Sequence, residues 1–257
     1  KLDRQGFIEL KSAQEMEISP IFKRMEAVNL EGAKVIGRVP APAPLAAKEV
    51  KHALVKGSCL LDLRSPAAFS AAHIPGSINL QTEFLPIYAP YVMPWERPAV
   101  LIADNMVDVD RAVTHLFRIG YDDAARYMRG GMDMWIKGGN EIVTTGSISA
   151  RELKERMMGG EDMLLLDVRD MKERSKGTIE DAGAVHLGEL SARSSSLPKN
   201  RTIVTFCGSG FRGSCAASIL SRNGFTKLYN LMGGFSAWKN AGFPVAKWRG
   251  PTGPITI

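Results

Sequence analysis

The chain has 257 residues, 45% of them apolar and 23% charged, which is the composition of a globular protein with one large domain or two of ordinary size. Its net charge of +6 comes from lysines and arginines scattered among acids. No run of like charges marks a nucleic-acid-binding tail and no apolar run approaches a membrane span, so neither nucleic acid nor a membrane is an expected partner. Three cysteines, Cys59, Cys207 and Cys215, are too few and too odd in number for a disulfide scaffold, which points to a reducing, cytoplasmic setting. His52, His73, His115 and His186 form no metal-ligand spacing, so no metal and no cofactor is implied. No signal peptide is visible, and because the first residue is Lys1, a longer native chain is expected.

Residues 1–32 are charged and helical in pattern and read as an extension or connector. The proline-rich run Val39-Pro40-Ala41-Pro42-Ala43-Pro44 reads as a stiff lead-in to a helix over 45–55. Beyond it the chain repeats itself with a period of about 104 residues. Leu60-Leu61-Asp62-Leu63-Arg64 returns as Leu165-Leu166-Asp167-Val168-Arg169, and Gly130-Gly131-Met132-Asp133-Met134-Trp135 returns as Gly233-Gly234-Phe235-Ser236-Ala237-Trp238. The first copy spans 33–140 and the second 147–257, with Thr144-Thr145-Gly146-Ser147 as the linker. In the second copy a helix is predicted over 149–158 and short apolar strands over 163–168, 201–206 and 227–231. Helices are predicted over 214–222, stopped by Asn223-Gly224, and over 235–240, stopped by Gly242. Strands alternating with helices imply an α/β fold: two tandem domains, each a small parallel sheet with helices on both faces.

The chemistry is expected in the loop Cys207-Gly208-Ser209-Gly210-Phe211-Arg212, between a buried strand and a helix, where parallel α/β sheets bind ligands. Gly208, Gly210 and Gly213 free the backbone to turn successive N–H groups inward, and the following helix aims its positive end at the same point. Arg212 adds a full charge and a planar fork of donors. Such surroundings favour thiolate over thiol, so Cys207 and Arg212 are the catalytic candidates. Gly208, Ser209, Gly210, Phe211 and Gly213 are the substrate-binding ones. Arg212 follows Cys207 by five positions, one fewer than a cysteine phosphatase loop needs to wrap a phosphate, and Gly213 occupies the phosphatase position. In the first copy the position equivalent to Cys207 is read as Asp104, within Ala103-Asp104-Asn105-Met106-Val107-Asp108-Val109-Asp110. Sulfur chemistry is not expected there, and Asp104, Asp108 and Asp110 read as solvated acids rather than a cation site. Cys59 and Cys215 read as buried packing, and so do Trp135 and Trp238.

These residues resemble a tandem rhodanese across about 33–257. The resemblance rests on the Asp62/Arg64 and Asp167/Arg169 strand ends, Ala72-His73-Ile74-Pro75-Gly76-Ser77, the Cys207 loop and the Gly-Gly-x-x-x-Trp segments. It implies transfer of sulfane sulfur through a Cys207 persulfide. The donor would be a small anion such as thiosulfate or a low-molecular-weight persulfide, and the acceptor a thiol, sulfite or cyanide. It also implies a supporting role for Asp167 and Arg169. The second copy has Thr178 where the first has His73, a position with a structural role in the family. A narrower resemblance, over Ile18-Ser19-Pro20-Ile21-Phe22-Lys23-Arg24-Met25-Glu26-Ala27-Val28-Asn29, is to the segment joining a metallo-β-lactamase-fold, persulfide dioxygenase-like domain to rhodanese repeats. A persulfide carrier serving one partner protein, and more remotely a cysteine phosphatase or arsenate-type reductase, are the alternative functions.

Overall fold

The short apolar runs become parallel strands buried on both faces, the arrangement expected when helices cover both sides of a sheet. A computed structural model describes residues 2–13, 19–32, 35, 37–248 and 250. It divides into Lys1–Ile36 and Gly37–Ile257. Among its described residues the first unit carries two helices, α1 (Arg4–Ser12) and α2 (Pro20–Glu31). Asp3 caps α1 by accepting a hydrogen bond from the Gly6 amide, and Ser19-Pro20 opens α2 with proline in the first turn. Of the segment over 18–29, Ile18 lies outside the described residues.

The second unit contains both repeats. The first is built from β1 (Ala43–Leu45), α3 (Ala47–Val55), β2 (Cys59–Asp62), α4 (Pro66–Ala71), β3 (Ile78–Asn79), α5 (Leu85–Val92), β4 (Ala99–Ile102), α6 (Met106–Arg118), β5 (Arg126–Met128) and α7 (Gly131–Lys137). The second repeats that order as β6 (Gly146–Ile148), α8 (Ala150–Met158), β7 (Met163–Asp167), α9 (Met171–Arg174), β8 (Gly183–Ala184), α10 (Leu190–Arg193), β9 (Thr202–Phe206), α11 (Phe211–Arg222), β10 (Leu228–Leu231) and α12 (Gly234–Asn240). The sheets have matching strand orders, β1-β5-β4-β2-β3 and β6-β10-β9-β7-β8, with parallel pairing.

Three details differ from the sequence reading. The proline-rich lead-in ends in strand β1, because Pro44 sits on an edge strand where its missing N–H costs no ladder bond. The linker is half strand, since Gly146 and Ser147 pair with Tyr229 and Asn230 at the edge of the second sheet. Helix α11 starts at Phe211 rather than 214, so the Cys207 loop shortens to residues 207–210 and Arg212 stands in the first helical turn.

The repeat extends to hydrogen bonds. Arg64 and Asp62 pair at 2.6 Å, as do Arg169 and Asp167, all four side chains being buried. Each arginine also donates to the backbone eight residues on, Arg64 to the Ala72 carbonyl and Arg169 to that of Gly177. His73 and Thr178 occupy matching places, and each makes an antiparallel bridge to the segment after its domain's last helix, at Val143 and Ala246. The side chains differ: His73 Nδ1 contacts the Phe69 carbonyl at 2.8 Å, whereas Thr178 donates to Asp167 at 2.8 Å. Trp135 and Trp238 are core residues that donate to the Glu141 and Pro244 carbonyls.

Among the described residues, the apolar interior forms three clusters. One belongs to each domain, and the largest runs through both, joining Leu61, Ile78, Leu85 and Leu116 to Leu166, Val185, Leu187 and Leu220. Each such leucine withdrawn from water contributes roughly 2 kcal/mol, so the domains hold each other folded through this shared core. Inside the seam, Ser214 of α11 donates to Asn79 Oδ1 of β3 at 2.6 Å, and the Asn79 amide donates to Ser218 at 3.1 Å. The first domain thereby grips the helix whose N-terminus faces the Cys207 loop. Among the described residues, no helix is long and apolar enough to cross a membrane.

Candidate active site

Strand β9 is buried through Phe206, and the chain leaves it at Cys207, which is 1% exposed. Its sulfur accepts a hydrogen bond from the Gly210 amide at 3.2 Å, closing the loop onto itself. Gly210 adopts φ +94°, and a Cβ there would crowd the Gly233 amide and the Leu231 carbonyl at 3.1 Å. Both space and conformation therefore require glycine. Gly208 and Gly213 do not take left-handed φ. Gly213 is needed for close approach, since a Cβ would collide with the Asn230 side chain and press on β9. Ser209 is exposed, and Phe211 is 37% exposed at the start of α11.

The loop is also held from outside. Amides of α12's first turn donate to its carbonyls, Phe235 to Cys207 at 2.7 Å and Ser236 to Gly208 at 2.9 Å. A Cβ on Gly234 would collide with the Cys207 carbonyl oxygen, and Gly234 takes φ +55°. The Gly-Gly-x-x-x-Trp segment is thus a docking edge for the Cys207 loop as well as a helix start. Asp167 and Arg169 lie one step further out. The Arg169 guanidinium is 4.2 Å from the centre of the Phe235 ring and so links the buried ion pair to the helix that holds the loop.

Arg212 is not a free fork. Its two terminal nitrogens each donate to Glu173 at 2.6 Å, a bidentate pair lying beside Gly208. Glu173 is pre-set by a capping box: its amide donates to Asp170 at 2.8 Å while its carboxylate reaches back to the Asp170 amide. Burial opposes ionisation of Glu173, but the Arg212 hydrogen bonds and charge outweigh it and hold the carboxyl down at about 2. Burial likewise works against the Arg212 charge, and Glu173 with the negative charges nearby reverses that and raises its pKa. The Asp170-x-x-Glu173 pattern is visible in the sequence, but its arginine partner stands 39 residues away.

The first domain reaches the site through one face of α5 and the turn before it. The Phe84 ring lies 5.3 Å from Phe211, Tyr91 packs against Gly188 and edge-on to His186 at 5.9 Å, and Tyr88 stands between them. Cys215 sits fully buried on α11, where burial and then the nearby Cys207 push its thiol up to about 12, consistent with packing. Cys59 begins β2, and burial raises its thiol too, against the opposing charges of Arg222 and Arg97.

In the first domain the corresponding strand end is rebuilt. Leu63 bonds the Ile102 carbonyl just as Val168 bonds that of Phe206, so Ala103, not Asp104, stands in the place of Cys207. Gly131 keeps the role of Gly234, since a Cβ there would sit 2.7 Å from the Ala103 carbonyl. The loop is one residue shorter, and Asn105 caps α6 by accepting from the Asp108 amide at 2.9 Å. A cavity of about 330 Å³ remains, lined by Asp104, Asn105, Met106, Gly131 and Asp133 among others. Among the described residues no group of three or more histidine, cysteine or acidic side chains is placed to hold a metal, so Asp104, Asp108 and Asp110 do not converge.

The rhodanese-like domain family matches this chain twice, over residues 46–137 and 149–241. The chain belongs to that family. Its two rhodanese-like domains stand in tandem, as the repeat implied. A sulfurtransferase of Allochromatium vinosum is 36% identical over 98 residues, covering 38% of this chain and 92% of that protein. The putative sulfur carrier protein YrkF of Bacillus subtilis is 32% identical over 106 residues, covering 40% of this chain and 57% of that protein. Among solved structures, the rhodanese-like domain of Alr3790 from Anabaena is 34% identical, with a TM-score of 0.39, covering 43% of this chain and 87% of that one.

Proposed function

We propose that the second rhodanese-like domain moves sulfane sulfur as a Cys207 persulfide. The observation that carries this reading is the Cys207 sulfur itself, held by the Gly210 amide over the N-terminus of the twelve-residue helix α11 with Arg212 in its first turn. The Cys207 thiolate attacks the outer sulfur of a donor such as thiosulfate. A sulfur–sulfur bond forms to Cys207, the donor's own sulfur–sulfur bond breaks, and its electron pair leaves with sulfite. The persulfide anion stays in the loop, where backbone N–H groups and the positive end of α11 stabilise it. A thiol, sulfite or cyanide then takes the outer sulfur and returns the thiolate. No cofactor enters either step. Arg212 supplies positive charge to the donor's anionic end, and Glu173 positions it. Gly208, Ser209, Gly210, Phe211 and Gly213 form the donor's bed, while Asp167 and Arg169 brace it. The three buried free cysteines suit a reducing cytoplasm.

The near-complete burial of Cys207 favours a second reading, a carrier that loads sulfur and releases it chiefly to a docked partner protein. Residues 1–32 as a connector to a metallo-β-lactamase-fold, persulfide-oxidising domain would provide such a partner. The test is turnover of thiosulfate and of glutathione persulfide with cyanide, thiol and sulfite acceptors, in the native chain and in Cys207→Ser. Steady turnover lost in the variant supports the enzyme. Loading without turnover supports the carrier, and full activity in Cys207→Ser sinks both.

A further inference from the structure

The proposed chemistry uses residues of the second domain only, yet an aromatic face of the first lies along it. Phe84, Tyr88 and Tyr91 follow one another at the spacing that puts side chains on one face of a helix. The two outer rings fix where that face points. Phe84 lies 5.3 Å from Phe211, the residue after Gly210, whose amide bonds the Cys207 sulfur. Tyr91 lies 5.9 Å from His186 and rests on Gly188. Tyr88 is 6.3 Å from Phe84 and 6.5 Å from Tyr91, and half-buried. It is therefore bracketed over the ground between Phe211 and His186, within electrostatic reach of Arg212, Glu173 and Cys207.

A second observation says what Tyr88 adds there. Both terminal nitrogens of Arg212 are engaged by Glu173. That takes up two of its five N–H donors, and Arg212 also hydrogen-bonds Tyr88, where the phenol oxygen must accept and so keeps its O–H as a donor. A phenolic hydroxyl is a neutral donor that can meet an anion without a counter-charge of its own. Burial raises the Tyr88 phenol, with Arg212 opposing, so the hydroxyl keeps its proton at neutral pH.

We propose that Tyr88, supplied by the domain without a cysteine, is a specificity-determining residue of the Cys207 site that donates its phenolic hydrogen bond to the anionic end of the sulfur donor. The inference rests on the Cys207 persulfide reading and adds a contribution from the first domain to it. The donor class it selects is a small anion whose negative oxygens trail the transferable sulfur.

The test is Tyr88→Phe, which keeps the ring and removes only the hydroxyl. In a two-step exchange, kcat/KM for the donor reports loading and kcat/KM for the acceptor reports discharge. The expected result is a fall of about tenfold in kcat/KM for thiosulfate, the scale of one hydrogen bond to a charged group, with kcat/KM for cyanide and the melting temperature unchanged. Unchanged values for both substrates, in a protein whose Cys207 still loads sulfur, overturn the role of Tyr88 and leave the persulfide reading standing. An equal fall on both sides also overturns it, because loss of general site order would then explain the effect. Failure of the native chain to load any sulfur removes the persulfide reading and this inference together.

Discussion

The two domains share a strand order, a buried Asp–Arg pair, a strand-end bridge and a Gly-Gly helix start, and they part at the loop after β4 and β9. At the end of β9 stand Cys207 and a four-residue loop closed by Gly210 in a left-handed conformation. At the end of β4 stand Ala103 and a loop one residue shorter, closed by the Asn105 cap. The difference separates scaffold from chemistry. The Asp62/Arg64 pair is kept in the domain with no thiol at this strand end, and Asp167/Arg169 repeats its geometry, which ties the pair to the strand end in both domains. What the second domain adds is a thiol, one further loop residue, a glycine that permits the sulfur–amide contact, and an arginine pinned by Glu173.

The sharpest way to break the comparison is to make the same change in both Gly-Gly segments. Gly234→Ala drives a Cβ into the Cys207 carbonyl, and Gly131→Ala drives one toward that of Ala103. Both variants are expected to lose roughly 1–3 kcal/mol of stability in denaturant titrations, the cost of a strained backbone position. Only Gly234→Ala is expected to lower the sulfur-loading rate, by about a hundredfold if the loop shifts from the reacting geometry. Equal loading in the two variants would mean that the α12 edge does not hold the reactive loop.

A smaller effect is expected at the arginine clamp. Glu173→Gln leaves Arg212 without its ionic partner and is expected to slow loading by about tenfold, as measured in a single turnover. The same pair makes a pH prediction. The Glu173 carboxyl is held at about 2, below its ordinary 4.5, so the stability it adds is complete above about pH 4.5 and fades as pH falls toward 2. For a carboxylate one-third exposed, this contribution amounts to roughly 1–2 kcal/mol after solvent screening, and acid unfolding of Glu173→Gln is expected to lack it.

The seam offers a test of the shared core. Asn79→Ala leaves the Ser214 hydroxyl and the Asp62 and Arg64 carbonyls short of a buried partner and is expected to cost about 1–3 kcal/mol in a single cooperative transition. Two separated transitions would contradict a core common to both domains. The smallest effect is expected from Ala103→Cys. This variant places a thiol at the register of Cys207 without Gly210, α11 or Arg212, and is expected to leave sulfur loading at one atom per chain.

Much of the fold could be read from the sequence, because it rests on local signals. Apolar runs of strand length, Asn223-Gly224 and the repeated Gly-Gly-x-x-x-Trp each act over a few residues. The position of the Cys207 loop between a buried strand and a helix was legible for the same reason. Contacts between distant segments were not. Glu173 meets Arg212 across 39 residues, and Phe84 meets Phe211 across two domains. The place of Ala103 was hidden because a one-residue shortening of a loop changes the register without altering any motif. Helix α11 begins earlier than its periodicity suggests because Gly210 starts it with a left-handed turn, for which the loop glycines gave no distinct sign.

The most direct test is the intact mass of the chain after exposure to thiosulfate or glutathione persulfide, with Cys207→Ser alongside. A gain of one sulfur atom, removed by cyanide or thiol and absent from the variant, is the expected result. No gain from either donor, or an equal gain in Cys207→Ser, would contradict a Cys207 persulfide.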